Sequence, residues 1–187
     1  MLVQIDWSVV SGEHVPAGGM LRLRKEAAAR IWSDEDAARF AVEVGVPHSN
    51  GLFRIVAELA ERDPASPDWA FVEPYEGGRV DTPHGPLQQL GEVYQSLVYV
   101  HHGDGTVWIS DPDSEVEYEL VHRDLSSFAY LVYKIAAEKP RPEEDPDPFD
   151  WADAEEIIRE DTTAWDPLPF ESGAHFWEMY LESYPML

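Results

Sequence analysis

Apolar residues recur at helical spacing along several stretches of the chain. The first such stripe consists of Ala37, Phe40, Ala41 and Val44, at intervals that place all four on one face of a helix. Ser33 is placed to cap this helix, and the acidic residues of the next turn suit the positive end of the helix dipole. Gly45 and Pro47 should end it. The pattern predicts a helix with one face turned towards a core.

The same spacing predicts five further helical segments. They cover residues 21–32, 51–62, 124–135, 151–160 and 173–183. The first of them also holds a local cluster of basic side chains. Asp124 or Ser126 is expected to cap the third helix, in which Phe128, Leu131 and Ile135 form part of the buried stripe.

Two runs rich in β-branched and aromatic residues predict an antiparallel hairpin. Residues 96–101 and 106–110 are joined by His102-Gly103-Asp104-Gly105, which is a turn-forming segment. Residues 115–121 then alternate between apolar residues and glutamates, which predicts a third strand of the same sheet. A short strand is also expected within residues 69–72. Helices together with an antiparallel meander indicate an α+β fold.

A stretch rich in proline and acidic residues divides the chain near its end. Four prolines between Lys139 and Pro148 predict an extended linker. The expected organisation is an α+β core domain at 1–138, a Pro-rich acidic linker at 139–150 and a C-terminal helical segment at 151–187. Aromatic side chains such as Phe176 and Tyr180 suit that segment for docking on the core. We therefore expect an antiparallel or mixed sheet backed by helices.

The charge balance narrows the class of partner. The 187 residues include 37 acidic and 13 basic side chains, which gives a formal net charge of −24. Nucleic acids and anionic membranes would repel such a chain, so neither is expected as a partner. A basic protein is expected instead, unless the acidic surface serves solubility alone. The first ten residues lack a signal-peptide pattern and no apolar run could span a bilayer, which predicts a cytoplasmic location.

Few residues suggest catalysis or metal binding. The chain has no cysteine, which removes disulfides, thiolate zinc sites and thiol nucleophiles. His101, His102, Asp104 and Asp111 are of suitable ligand types, but adjacent residues of a strand point to opposite faces. A plain turn explains the Asp-Gly pair better. No catalytic residue, metal or cofactor is therefore predicted, and we expect a protein that is not an enzyme.

The hairpin and the following strand supply a candidate contact surface. If the valines of the hairpin face the helices, then its aromatic residues and the neighbouring acids face the other way. The predicted contact residues are Tyr99, Trp108, Asp111, Asp113, Glu115, Glu117 and Glu119. Exposed aromatic side chains among acids suit the recognition of a basic protein. In the alternative interpretation, the C-terminal helices cover this face.

Several short motifs occur in an order that resembles a known family. They are the 32–40 helix leading to Gly45-Val46-Pro47, then Leu90-Gly91, Gly105-Thr106-Val107, Asp124-Leu125-Ser126-Ser127-Phe128 and Phe176-Trp177. Together they resemble the SUKH superfamily, in its fourth branch of immunity proteins, most familiar from actinomycetes. The match covers most of residues 30–135 and the tail. Asp124-Leu125 stands where many members have an asparagine, and the proline-rich insert is longer than in the family.

The resemblance implies a sheet backed by helices and a role in neutralising a toxin delivered by neighbouring cells, often a nuclease, by direct binding. It brings no catalytic residues. The acidic balance agrees with it independently, because a nuclease presents a basic cleft to nucleic acid. Two other hypotheses stay open at this point. One is a regulatory or scaffold adaptor on a housekeeping protein, and the other is a metal-dependent hydrolase around His101 and Asp104.

Overall fold

The computed structural model describes residues 2–8, 10, 15, 19–110, 116–141, 145–171 and 175–183, and these contain two sheets. The smaller sheet consists of β1 (Met20–Leu23), β2 (Val46–Pro47) and β4 (Ala60–Glu61), with β1 in the centre. The larger sheet consists of β3 (Phe53–Val56), β5 (Phe71–Val72), β6 (Arg79–Thr82), β7 (Gly85–Val93), β8 (Ser96–His101), β9 (Val107–Ser110) and β10 (Glu119–His122). Its order is β10-β9-β8-β7-β3-β5, and β6 also pairs with β7.

Only one pairing in the larger sheet is parallel, that between β3 and β5. The predicted hairpin is confirmed: Tyr99 of β8 lies opposite Trp108 of β9, and the two strands run antiparallel. β10 continues the meander on the outer side of β9. The sheet is therefore mixed but mainly antiparallel, as the sequence predicts.

Helices pack around these sheets. They are α1 (Lys25–Ile31), α2 (Glu35–Glu43), α3 (Leu125–Glu138), α4 (Pro148–Thr163) and α5 (Phe176–Ser183). Together with the sheets they confirm an α+β fold. Among the described residues, no helix combines the length and the hydropathy that crossing a bilayer requires.

Helix α3 lies at the centre of the core. Asp124 caps it by accepting a hydrogen bond from the Ser127 backbone N–H, as predicted. Its Phe128 ring is fully buried and meets Phe53 of β3 edge to face, with ring centroids 5.3 Å apart. Every residue from Leu125 to Val132 is buried, so this part of α3 is surrounded by protein instead of having one face in solvent.

Helix α4 begins inside the predicted linker. Asp147 and Asp150 form a reciprocal capping box, and Pro148 occupies the first turn, where its missing N–H costs nothing. The helix packs on α3, where the Lys134 ammonium lies 2.8 Å from the Asp161 carboxylate. The end of the predicted linker, from Asp147 to Asp150, is therefore the start of a helix.

The last helix contributes to the same core. Trp177 of α5 is fully buried, and its ring centroid lies 6.3 Å from that of Phe128. Phe176 and Ile158 belong to the same buried cluster as the sheet residues. α5 therefore packs on the α3 side of the larger sheet, and the alternative in which the C-terminal helices cover the opposite face is wrong.

Several local predictions are wrong. Residues 51–62 form β3, a turn and β4 instead of a helix, and residues 21–23 belong to β1, so only the second part of the 21–32 prediction is helical. The cap of α2 is Asp34, one residue after the predicted Ser33. The third strand of the meander begins only at Glu119. The range 69–72 contains a short strand, β5, as predicted.

Candidate functional site

Tyr99 and Trp108 share the face of the larger sheet that points away from α3, as predicted. Tyr99, however, is only 2% exposed, so the prediction that it is an exposed aromatic residue is wrong. The ring of Tyr118, which precedes β10, meets it edge to face at 5.6 Å. Gln89 of β7, opposite Tyr99, is equally buried and accepts a hydrogen bond from the Tyr75 backbone. The loop before β6 therefore contacts this face.

Trp108 keeps part of its surface accessible. Its indole N–H donates to the Thr106 hydroxyl at 2.9 Å, and its ring lies 4.6 Å from the ring of His84, in the turn between β6 and β7. The side chain is half-buried and held on two sides. Such a fixed aromatic ring can contact a partner without losing much rotamer freedom.

Glu119 lies on the other face of the sheet from the one predicted. It pairs with the buried Ile109 of β9, so its side chain points to the helix side. There its Oε1 accepts hydrogen bonds from the backbone N–H groups of His175, at 2.7 Å, and Phe176, at 3.2 Å. Glu119 thus caps the start of α5, which is a structural role.

The remaining predicted contacts divide into two groups. Glu117 is exposed. Asp111, Asp113 and Glu115 fall outside the described residues. Of the seven predicted contact residues, Glu117 is exposed, and Trp108 and Glu119 are partly accessible, but the Glu119 carboxylate is engaged at the start of α5.

Three of the residues considered as metal ligands, His101, His102 and Asp104, lie at the end of β8 and in the turn that follows it. Asp104 accepts hydrogen bonds from the backbone and hydroxyl of Thr106, and its Oδ1 lies 2.7 Å from Nδ1 of His101. Burial acts to raise the pKa of Asp104, but these hydrogen bonds outweigh it and the pKa lies below its usual range. Within the described residues, no three His, Asp or Glu side chains are grouped to hold a metal ion. Asp111 lies outside them.

An acidic groove of about 510 Å³ lies beside this turn. Its charged lining consists of Asp34, Asp36, Glu43, Asp104 and Asp124, with Arg39 and Arg123. Two of the carboxylates cap helices α2 and α3, and Asp36 forms an ion pair with Arg39. The groove has five carboxylates against two guanidinium groups, so it favours a cationic side chain over an anionic one.

A Ser, a His and an Asp also meet inside the protein, where sequence patterns gave no signal. The Ser127 hydroxyl lies 2.6 Å from Oδ2 of Asp166 and 2.9 Å from Nδ1 of His122. The other imidazole nitrogen, Nε2, accepts the indole N–H of Trp177 at 3.1 Å. In a catalytic triad the histidine stands between the other two, whereas here the serine does.

This buried group is a structural connection. His122, Ser127 and Asp166 are each at most 1% exposed, so no substrate reaches the serine. His122 and Ser127 precede residue 130, whereas Asp166 and Trp177 follow residue 165, so the hydrogen bonds join the C-terminal segment to β10 and α3. Burial would raise the pKa of Asp166, but the neighbouring His122 ring, 3.6 Å away, and the hydrogen bonds from the Ser127 hydroxyl and the Arg123 backbone N–H lower it to about 2.

Comparison with known families identifies the family of the chain. The model of the SUKH-4 immunity protein family matches residues 10–183, which is nearly the whole chain. The chain belongs to the SUKH-4 immunity protein family. No curated protein and no solved structure matches it. The match confirms the resemblance drawn from the short motifs and supports an immunity role.

Membership of the SUKH-4 family changes how the surface is interpreted. An immunity protein acts through its surface, so exposed side chains on rigid elements matter more than internal hydrogen-bond networks. By that criterion Tyr99 and Glu119 are structural residues. Trp108, Glu117 and the rim of the acidic groove remain accessible.

Proposed function

We propose that this SUKH-4 protein neutralises a toxin by binding it directly, with no chemical step, in the cytoplasm of the cell that it protects. The observation that carries the proposal is the net charge of −24 on a chain of an immunity family. A charge of this size attracts a basic partner over a distance of about one Debye length, roughly 8 Å at physiological salt. The toxin is accordingly a basic domain.

A nuclease fits this description best. A nuclease must present positive charge to nucleic acid, and an acidic protein that covers that surface blocks the substrate. The acidic groove beside the β8–β9 turn supports the proposal, since its excess of carboxylates suits an arginine or lysine side chain of the toxin. Trp108 and Glu117, which lie outside this groove, are proposed as further contacts.

The proposal predicts a toxin gene beside the gene for this chain, and the toxin domain that it encodes is the partner to test. Co-expression should restore growth of cells that produce the toxin, and the purified proteins should bind each other. Because the attraction is electrostatic, affinity should fall at least tenfold between about 50 mM and about 500 mM salt. Glu117→Lys should weaken binding, whereas Glu58→Lys, at an exposed position between β3 and β4, serves as the control.

Two results would contradict the proposal. The first is the absence of any complex at low salt together with full protection of the cells, which would mean that protection does not depend on contact. The second is chemical modification of the toxin or of its substrate by the purified immunity protein.

A further inference from the structure

One face of α4 combines exposed apolar and acidic side chains. At 100° per residue, Phe149, Asp153, Glu156, Ile157 and Glu160 lie on the same side of this helix, and all five are exposed. Phe149 is 78% exposed and Ile157 is 41% exposed. They are eight residues apart, so about 12 Å of helix separates them. Three carboxylates lie on the stripe between and beyond these two apolar side chains.

The opposite side of α4 is fixed to the rest of the protein. Ala154, Ile158 and Thr162 are buried, and Asp161 pairs with Lys134 of α3. Arg159, the only basic residue of α4, bonds Glu155 at 2.8 Å and lies over the ring of Phe170. The exposed face therefore has no positive charge of its own, and it stands on a helix that is held in place.

The side chains on this face do not stabilise the helix itself. Glu156 and Glu160 are four residues apart and repel each other, which opposes helix formation. An exposed phenylalanine beside the helix start gains nothing from burial in the free protein. Single exposed apolar residues are common, but two of them about two turns apart on one acidic face form a pair that a groove in a partner can accept.

We propose that this face of α4 is a docking surface for a basic protein with an apolar groove, which accepts Phe149 and Ile157 and surrounds them with lysine or arginine side chains. The inference rests on the proposed function and assigns the toxin to this surface. Charge complementarity selects that occupant, because eight of the residues from 145 to 164 are acidic and one is basic. A second copy of the chain would bring the same negative charge to the face and be repelled.

The experiment uses the full chain and the adjacent toxin domain with its active site inactivated. The double variant Phe149→Ser with Ile157→Ser removes the apolar anchors, and Glu156→Lys with Glu160→Lys reverses the charge. Both should lower the affinity roughly tenfold or more, because a few well-placed anchors dominate most interfaces. The loss from charge reversal should shrink at high salt, whereas the loss from the apolar change should persist.

Matched controls separate this surface from the rest of the molecule. Tyr75→Ser changes another exposed aromatic side chain, and Glu58→Lys with Glu73→Lys reverses two exposed charges outside α4. Circular dichroism and thermal unfolding should be unchanged in all four variants, because every position is at the surface. The controls should bind the toxin like the unaltered protein.

The outcomes distinguish the two proposals. If the unaltered protein does not bind the toxin, the proposed function is wrong and the α4 surface loses its partner with it. If the unaltered protein binds the toxin and the α4 variants bind it with the same affinity, the α4 inference alone is wrong. The same conclusion follows if Glu117→Lys is the one change that weakens binding. If the α4 changes convert a dimer of this chain to a monomer while toxin binding is unchanged, the face serves self-association, which also contradicts the inference.

Discussion

Mild acid should destabilise the fold through His122. Its imidazole is fully buried, and each ring nitrogen has a fixed partner: Nε2 accepts from the indole N–H of Trp177, and Nδ1 faces the hydroxyl of Ser127. Protonation would add an N–H at Nε2, directly opposite the indole donor. Burial disfavours the charged ring as well and is the main reason that the pKa of His122 lies below its ordinary value of 6.5.

The sign and size of the effect follow from linkage. In the unfolded chain the histidine takes up a proton near pH 6.5, and in the folded chain only at a lower pH. The stabilisation is therefore complete above about pH 6.5 and is lost as the pH falls towards the lower, folded pKa. One proton of difference corresponds to about 1.4 kcal/mol per pH unit, so acidification to about pH 5 should remove up to about 2 kcal/mol.

The assay is urea unfolding followed by tryptophan fluorescence at about pH 7.5 and about pH 5, for the unaltered protein and for His122→Gln. Glutamine does not titrate, so the loss of unfolding free energy on acidification should be smaller in the variant by up to about 2 kcal/mol. His48, whose pKa burial also lowers, contributes equally to both proteins and cancels. Equal losses would refute the role of His122. Should the variant not fold, an NMR titration that gives a His122 pKa of 6.5 or above refutes it.

Three other substitutions test separate contacts. Glu119→Ala removes the acceptor at the start of α5 and should cost about 1 kcal/mol in urea unfolding, whereas exposed Glu117→Ala should cost almost nothing. Gly91→Ala should cost on the order of 3 kcal/mol or prevent folding, because a Cβ there would lie 2.1 Å from the Arg54 carbonyl oxygen; an unchanged melting temperature would contradict this. Lys134→Ala should lower the free energy of unfolding by about 1 kcal/mol, because Asp161 loses its partner on α3. The electrostatic part of this loss should disappear at high salt, whereas the part that comes from side-chain packing should persist.

Long amphipathic and alternating patterns were sufficient to predict the central elements. The β8–β9 hairpin and α3 are where the sequence places them, because a turn sequence and an N-cap mark their ends. The segment 51–62 shows the limit. Leu52, Ile55, Val56 and Leu59 fit helical spacing, but the chain there forms β3, with a neighbour on each side in the sheet. In so short a segment the apolar positions fit a strand as well as a helix, so their spacing does not separate the two.

The placement of Glu119 was predicted wrongly for a different reason, which is the register of β10 against β9. Residues 115–121 alternate regularly, but of the described residues 116–121 only those from Glu119 onwards join the sheet, and a bulge lies between Leu120 and His122. A shift of one residue moves every side chain to the other face, so Glu119 points to the helices and Leu120 lies opposite Trp108. Alternation predicts that two faces exist, but the partner strand decides which face is the outer one.

In the proposed interaction, charge and apolar contacts contribute differently: charge affects the rate of encounter, and apolar contacts determine which toxin is selected. Attraction between opposite charges acts over several ångströms and tolerates many arrangements, so a net charge of −24 can speed the encounter with almost any basic domain. It cannot by itself select one toxin among many. Selection requires side chains that fit a particular groove, and a misplaced apolar side chain loses most of its contact energy. Phe149 and Ile157 are apolar side chains that α4 presents on its outer, acidic face. If the inference about α4 is correct, changing these two residues should alter which toxin is recognised, while changing the acids should mainly alter the rate of association.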